Sequence, residues 1–418
     1  MMREIHVFGD WQALGKPQRI GLMCAIPGRQ NETFSFEYDE DWLQNNPLQL
    51  DPDLQLFRGQ QFQPDSDRRN FGIFLDSRPD RWGERVMQRA EAERARQEGR
   101  PPKRLLESDY LLRVHDQQRM GGLRLKESLD GDFVANDEGN EAPPWTQLRE
   151  LENAAWQFQK DGPVDDPAVR HAVGVLLAPG SSIGGARPKA GVCDEEQNLW
   201  IAKFPGCHDA FDVGAWEMVV HTLAVAAGIN IAPARAETFG QNHNTFMTKR
   251  FDRVVANGTR KRLHFASGMT MLQWKDGQEG ASYLDIVDFL IKYGADVDHD
   301  LPELWRRIVF SICVSNTDDH LRNHGFLLAG EGWKLSPAYD INPDCYGNGL
   351  NLNISDTDNS QSLDLAREVA EFFRLDQSEA DQIIDQVRDA ASRWRDEATN
   401  MDIPRHEQQM MESAFRFC

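Results

Sequence analysis

Apolar residues in the last third of the chain recur at helical spacing just before a polar segment. The stripe follows Pro302, a residue favoured in the first turn of a helix, and repeats at i, i+1, i+4, i+5, i+8 and i+9. Its members are Leu304, Trp305, Ile308, Val309, Ile312 and Cys313. The pattern predicts a buried helix over 302–315. Two apolar runs, 325–328 and 333–335, flank a Gly-containing turn and predict a β-hairpin.

The same patterns divide the chain into a β-rich first part and a mostly helical last part, so the predicted fold class is α+β. Strands are predicted at 5–8, 20–23 and 33–38, with Gly- and Pro-containing turns between them, and at 121–125 and 198–205. Residues 245–253 are predicted to form a strand that runs into a polar linker. Helices are predicted near 83–98, 108–114, 146–160, 166–178, 213–227, 282–293, 368–373, 378–398 and 405–417. The acidic, Gly- and Pro-bearing stretch 129–145 indicates a surface loop.

Composition narrows the possible partners. The 418 residues carry a net charge of −21 and a pI near 5.0, which argues against a chain that grips nucleic acid by itself, although not against a DNA-binding partner. No apolar run approaches the ~20 residues that span a bilayer, and the amino terminus lacks the apolar core of a signal peptide. Six scattered cysteines are most simply reduced thiols, so we expect a cytoplasmic protein.

Three polar residues, Asp318, Asn323 and Asp340, lie where the predicted helix gives way to the hairpin. The hairpin would return Asp340 beside Asn323, and two such oxygen ligands suit Mg²⁺. Asp318 would then stand next to the metal rather than on it. Protein kinases carry the same order: Asp, four residues, Asn, then a metal-binding Asp. The alternative is a polar loop whose side chains cap turns.

Earlier stretches offer partners for a nucleotide. Small residues over 180–190 would let backbone N–H groups approach a phosphate, although the stretch is neither a P-loop nor GxGxxG and could be a flexible turn. Lys203 lies amid apolar neighbours on a predicted strand, either as an edge-strand lysine or as a phosphate-pairing one. Glu217, on the next helix, could pair with Lys203, but taken alone it favours a solvated charge. His320 and His324 are spaced i, i+4, which is only a weak zinc signal.

These motifs together resemble the HipA-like serine/threonine kinases, the toxins of bacterial type II toxin–antitoxin modules. The resemblance covers nearly the whole chain. It is carried by five motifs in order: 182–189 (SIGGARPK), 201–203 (IAK), 249–253 (KRFDR), 316–323 (NTDDHLRN) and 339–340 (YD). Asp319 departs from the family, because many members have glycine there, and Arg187-Pro188 varies the first motif. Both departures leave the choice of target open.

The resemblance implies a two-lobed HipA-like kinase fold that binds ATP and Mg²⁺. The expected parts are an amino-terminal β-rich subdomain over 1–110, a kinase N-lobe with the Gly/Ser loop and hinge over 111–255, and a helical C-lobe over 256–418. It implies that Asp318 is the catalytic base and that Asn323 and Asp340 are the metal ligands. Expected ATP contacts are Ser182, Ile183, Gly184, Gly185, Ala186, Lys203, Lys249, Phe251, His320 and Asn323.

The resemblance also implies partners and regulation. Members of the family silence themselves by autophosphorylation of a serine that matches Ser182, and Ser181 lies beside it. They phosphorylate cellular proteins, aminoacyl-tRNA synthetases among them, and pair with a helix-turn-helix (HipB-like) antitoxin through which they reach DNA. A catalytically silent antitoxin-binding corepressor is the alternative function. A metal-dependent phosphohydrolase is a third hypothesis, but it leaves the Gly/Ser loop and Lys203 unexplained.

Overall fold

The computed structural model describes residues 2–29, 31–46, 48–64, 67–136, 142–160, 176, 185–240, 243–256 and 258–418. The chain forms two compact units. The first consists of Met1–Cys207 together with Asp252–Ala266, and the second of His208–Phe251 together with Ser267–Cys418. The three-part division expected from the sequence stays a prediction.

Fourteen strands and thirteen α-helices are defined in the described residues. The strands are β1 Arg3–Gly9, β2 Gln18–Pro27, β3 Glu32–Tyr38, β4 Gln61–Phe62, β5 Leu123–Lys126, β6 Lys189–Cys193, β7 Leu199–Lys203, β8 Ala234–Glu237, β9 Thr245–Lys249, β10 Arg253–Ala256, β11 Thr259–Arg262, β12 Phe265–Ser267, β13 Gly325–Ala329 and β14 Gly332–Leu335. The helices are α1 Glu40–Asn45, α2 Gly72–Leu75, α3 Arg81–Gln97, α4 Glu107–Arg113, α5 Leu148–Gln159, α6 Val213–Ala226, α7 Gly268–Met271, α8 Tyr283–Tyr293, α9 Val297–Val314, α10 Leu363–Val369, α11 Gln377–Ser392, α12 Trp394–Asn400 and α13 Arg405–Met411.

The first unit is built on an antiparallel sheet in the order β4-β3-β2-β1-β5. Alternating residues of β1, such as Ile5 and Val7, are buried, as expected for strands with one face on a core. At Gly21 in β2 a Cβ would lie 2.2 Å from the carbonyl oxygen of Glu37 on β3, so only glycine allows this strand spacing. The sequence predicted these three leading strands, and the structure extends each of them.

The segment Asp252–Ala266 completes the first unit through buried polar contacts. Asp252 accepts a hydrogen bond from the backbone N–H of Gly121 at 2.8 Å. Arg253 donates to the carbonyl oxygens of Gly121 and Arg119, at 3.2 and 2.6 Å. Because buried polar groups need partners, these bonds make the later segment part of the unit's core rather than an addition to its surface.

The second unit centres on α9, which packs against α8, α10 and α11. Its Leu304, Trp305, Ile308, Val309, Ile312 and Cys313 are all fully buried, which confirms the predicted stripe. The β13–β14 hairpin is also confirmed, with Phe326 paired to Leu335 and Ala329 to Gly332. No helix in the described parts of the chain has the length and apolar character needed to cross a bilayer.

Some predicted helix ends were wrong. Helix α9 begins at Val297 rather than at Pro302, because Asp298 and Asp300 favour its first turn. Pro302 therefore lies inside the helix, where it leaves one backbone carbonyl without its usual hydrogen bond. The helix predicted over 378–398 breaks at Arg393. The break lets Trp394 stack on Phe415, with ring centroids 4.6 Å apart. Residues 368–373 are the end of a helical segment that begins at Leu363, and 166–178 lies largely outside the described residues.

Candidate functional site

The polar loop begins where α9 ends, at Ser315 in the left-handed conformation. Its φ of 51° is uncommon for a residue other than glycine, and its side chain is fully buried. The carbonyl oxygen of Ser315 accepts hydrogen bonds from the backbone N–H groups of Thr317 and Asp344, at 2.9 and 3.0 Å. Backbone strain of this kind persists where surrounding contacts fix it, and it often marks functional loops.

Asn323 is held across the loop by the residue predicted to act as the base. Its side-chain amide donates to the backbone carbonyl oxygen of Asp318 at 3.0 Å, which fixes which way the amide faces. The other end of the amide, Oδ1, is buried and has no hydrogen-bond partner among the described residues. A buried acceptor without a partner is costly unless a ligand satisfies it. Asn323 therefore offers an oriented oxygen for a cation.

Asp340 follows the hairpin and also has a left-handed backbone, with φ of 59°. The segment before it is anchored twice, because Ala338 donates to the carbonyl oxygen of Asn230 at 2.7 Å and Arg307 donates to that of Ser336 at 2.9 Å. The Asp340 carboxylate accepts a hydrogen bond from the side-chain amide of Asn342 at 3.3 Å. The hairpin thus delivers a half-buried carboxylate whose backbone position is fixed.

The carboxyl group of Asp318 is affected both by burial and by the charges of neighbouring side chains. Partial burial raises the pKa of Asp318, and the charges of Asp340, Asp319 and Asp344 raise it further, while His320 opposes them. Residue 318 is nevertheless exposed, as a base that meets an external hydroxyl group must be. Asp318 is therefore an accessible carboxylate in negatively charged surroundings, a situation that a cation would relieve.

Asp319, the next residue of the loop, makes buried contacts that were not expected from the sequence. Asp319 is buried, and its Oδ2 accepts a hydrogen bond from the hydroxyl of Tyr283 at 2.5 Å. Its Oδ1 lies 3.0 Å from Nε2 of His324. Burial and the nearby Asp319 charge raise the pKa of Tyr283 well above its usual range, so the phenol remains a donor. The available sequence signal was the presence of a carboxylate at 319 in place of the family's glycine.

The other predicted ATP contacts within the second unit are half-buried. Lys249 ends β9, and its backbone N–H donates to the carbonyl oxygen of Pro233 at 2.9 Å. The Phe251 ring lies against that of Tyr339, with centroids 5.5 Å apart. Nδ1 of His320 is buried and makes no hydrogen bond to any described residue. Their contact with ATP stays a prediction.

The predicted loop and lysine belong to the first unit. Ser182, Ile183 and Gly184 lie outside the described residues. Gly185 has φ of 83°, which favours glycine, and Ala186 is exposed. Lys203 ends β7, is buried and lies opposite Lys189 on β6. Its role toward phosphate stays a prediction.

One expectation from the sequence was wrong. Glu217 on α6 is only 3% exposed, so it is not the solvated helix charge that its isolated position favoured. Helix α6 is apolar around most of its circumference and packs against α11, α12, β8 and β9, which leaves little of its surface in water. The pairing of Glu217 with Lys203 stays a prediction.

The donor set fits Mg²⁺ better than a softer metal. Among the described residues, no group of three or more His, Cys, Asp or Glu side chains is arranged to hold a metal ion. Mg²⁺ does not require such a cage, because it usually takes one or two protein oxygens and completes its octahedron with waters and phosphate oxygens. The oriented Oδ1 of Asn323 and the carboxylate of Asp340 are oxygen donors of this kind.

Comparison with known proteins identifies the family. The model of the HipA-like C-terminal domain matches residues 181–394, slightly more than half of the chain. The chain therefore belongs to the HipA-like family, as the motifs predicted.

Similarity to individual proteins is consistent with this assignment. The chain superposes on HipA in the Shewanella oneidensis MR-1 complex of HipA, HipB and operator DNA with a TM-score of 0.62. The superposition covers 96% of this chain and 95% of that one at 19% identity, so it shows the fold. The chain is 29% identical over 148 residues to a Sinorhizobium fredii (strain NBRC 101917 / NGR234) protein named "Putative kinase Y4mE". That alignment spans 34% of this chain and a third of the relative's length. The α+β, HipA-like fold predicted from the sequence is confirmed.

Proposed function

We propose that this chain is an ATP-dependent serine/threonine protein kinase of the HipA type. The observation that carries the proposal is the state of Asn323: its amide is fixed by the Asp318 carbonyl, and its buried oxygen lacks a partner among the described residues. A turn-capping asparagine, the alternative from the sequence, would be expected to use that oxygen within the loop. The negative charge of Asp340, which acts on the exposed Asp318, is consistent with the same role.

The residues of the loop would act by positioning and by charge. Asn323 and Asp340 would hold Mg²⁺, which neutralises charge on the phosphates when bound. Asp318 would orient the substrate hydroxyl and accept its proton. Lys203 and the loop over 182–189 would contact the ATP phosphates.

The biological setting is a second part of the proposal. The HipA of Shewanella oneidensis is found with HipB and operator DNA. By family membership, we infer that this chain is the toxin of a similar module, with a helix-turn-helix antitoxin as its partner and DNA reached only through that antitoxin. Its target would be a cellular protein, for example an aminoacyl-tRNA synthetase. Phosphorylation of its own Ser182 would inhibit the kinase.

The test is transfer of labelled phosphate from ATP with Mg²⁺, followed by mass spectrometry. We expect a phosphoryl group on the peptide that contains Ser182 and on at least one protein of a cell lysate. Asp318→Ala should bind ATP almost normally but lose transfer by at least about 100-fold. Asp340→Ala should lose the Mg²⁺-dependent part of ATP binding, and Asp356→Ala, an exposed aspartate of the same unit, should behave like the wild type.

The alternatives give different results in the same assay. Free phosphate without protein labelling would indicate a phosphohydrolase. If the chain binds an antitoxin but neither binds ATP nor becomes labelled with phosphate, it is the silent corepressor. Full autophosphorylation by Asp318→Ala would exclude the role of Asp318 as the base.

A further inference from the structure

The loop around Asp318 is closed by two neighbouring cross-links between the same two dipeptides. The first joins Asp318 to Asn323, through the hydrogen bond from the Asn323 amide to the Asp318 carbonyl oxygen at 3.0 Å. The second joins the next residue on each side, because Oδ1 of Asp319 lies 3.0 Å from Nε2 of His324. Together they hold the proposed base and the proposed metal ligand at a fixed separation.

Tyr283 ties the second cross-link to the rest of the unit. Its hydroxyl donates to Oδ2 of Asp319 at 2.5 Å, and its ring meets that of His324 edge-to-face with centroids 5.6 Å apart. Tyr283 is completely buried as the first residue of α8, and a capping box formed by Ser282 and Asp285 fixes that helix end. The position of Tyr283 is therefore fixed by its own helix and does not depend on the loop.

The far side of the loop is held as well. The backbone carbonyl oxygen of His324 accepts a hydrogen bond from the N–H of Gly268 at 2.7 Å. A Cβ at Gly268 would lie 2.9 Å from the carbonyl oxygen of Leu321, so glycine is what allows this close approach. The loop is thus clamped between the starts of α7 and α8, with Asp319 as the side chain that joins its two halves.

Asp319 itself has no access to a substrate. Its Oδ2 accepts the Tyr283 hydrogen bond, its Oδ1 lies 3.0 Å from Nε2 of His324, and the residue is 5% exposed, whereas its neighbour Asp318 is exposed. The proposed chemistry therefore leaves a buried charged group unused. Burying a carboxylate is unfavourable unless its partners compensate, so a purely structural loop would be served as well by apolar packing.

We propose that Asp319 is a positioning residue for phosphoryl transfer, which with Tyr283 and His324 fixes the distance between the base Asp318 and the metal ligand Asn323. The inference rests on the proposed kinase function. Phosphoryl transfer depends on placement, and a displacement of about 1 Å can reduce the rate about 100-fold. The Asp319 cross-link supplies that placement without touching ATP or the acceptor.

The discriminating variant is Tyr283→Phe, which removes one hydroxyl and keeps the buried ring. We expect single-turnover autophosphorylation at saturating ATP to slow by about 10- to 100-fold, while the KM for ATP changes less than about two-fold. The Mg²⁺-dependent binding of ADP should keep its wild-type stoichiometry, which counts the competent molecules. Asp319→Asn should slow transfer at least as much. The matched control is Tyr293→Phe at the exposed end of α8, which should react like the wild type.

A merely structural role gives another pattern. If Tyr283→Phe lowers the ADP stoichiometry in proportion to the rate, the loop is only being unfolded and the proposal fails. Wild-type rates for both Tyr283→Phe and Asp319→Asn would also overturn it.

Hydrogen exchange separates this proposal from the proposed function. Tyr283→Phe should speed exchange of the amides over 316–325 and leave those of α11 unchanged. If the wild type transfers no phosphate, the kinase proposal fails, but this measurement still decides whether the contacts among Tyr283, Asp319 and His324 order the loop. Unchanged exchange over 316–325 would refute that ordering role, whatever the activity.

Discussion

Arg307 is the residue whose removal should most clearly loosen the segment that carries Asp340. It is 4% exposed, and its guanidinium donates to Glu303 at 2.8 Å and to the carbonyl oxygen of Ser336 at 2.9 Å. Glu303 in turn accepts a hydrogen bond from the backbone N–H of Asn230 at 3.0 Å. Arg307→Ala would leave a buried carboxylate without its countercharge, which costs about 3–5 kcal/mol.

The effects of changing Arg307 and Glu303 on the free energy of unfolding should be strongly coupled. Replacing both Arg307 and Glu303 by methionine removes the uncompensated charge, so the double variant should be less destabilised than the two single changes together by at least about 1–3 kcal/mol. What remains is the loss of partners for Ser336 and Asn230, about 1–3 kcal/mol for each buried backbone group.

Native-state hydrogen exchange is the suitable assay, because a chain with two compact units need not unfold in one step. The amides to follow lie in β14 and at Ser336, which donates to the carbonyl oxygen of Gly325 at 2.8 Å. Arg306→Ala is the matched control, since Arg306 is only partly buried and bonds to Ala227 and Gln386 instead. If Arg307→Ala speeds exchange in β14 no more than Arg306→Ala does, the reasoning is refuted.

Three further predictions concern other parts of the chain. Burial lowers the pKa of His264 to about 3, against about 6.5 in the unfolded chain, so the unfolded chain takes up a proton first as the pH falls. The free energy of unfolding should therefore decrease by about 2 kcal/mol between neutral pH and about pH 5. Acid denaturation of His264→Phe should lack this decrease. Gly214→Ala should destabilise the second unit by about 2 kcal/mol or more in urea, because the new Cβ would lie 2.1 Å from the carbonyl oxygen of Asn244; an unchanged midpoint would contradict this. Iodoacetamide should label Cys418 before Cys313, because Cys313 is fully buried and Cys418 is only half-buried; peptide mapping that finds Cys313 labelled first would contradict this.

The sequence predicted those features that depend on local patterns. The α9 stripe and the hairpin follow from periodicity; the hairpin and the end of α9 were found with nearly the predicted limits, while α9 begins five residues earlier than predicted. The hairpin between Asn323 and Asp340 is confirmed, while the shared role of these two residues and Asp318 stays a prediction. Local patterns are informative here because each element uses one simple period.

Features that depend on tertiary contacts could not be predicted. The burial of Glu217 depends on elements that surround α6 from distant parts of the chain, and the break at Arg393 depends on Trp394 meeting Phe415. Asp319 appeared in the sequence only as a departure from a family pattern. The role proposed for it depends on Tyr283, which lies 36 residues earlier in the chain and within hydrogen-bond distance only in the folded protein.

The return of Asp252–Ala266 to the first unit constrains how the protein can be made. Asp252 and Arg253 satisfy backbone groups at Gly121 and Arg119, so a nascent chain that has left the ribosome only as far as Cys207 lacks part of its own interior. The amino-terminal unit can mature only after 44 residues of the other unit, His208–Phe251, have been synthesised. Expression fragments cut at residue 207 should therefore be poor substitutes for the intact unit.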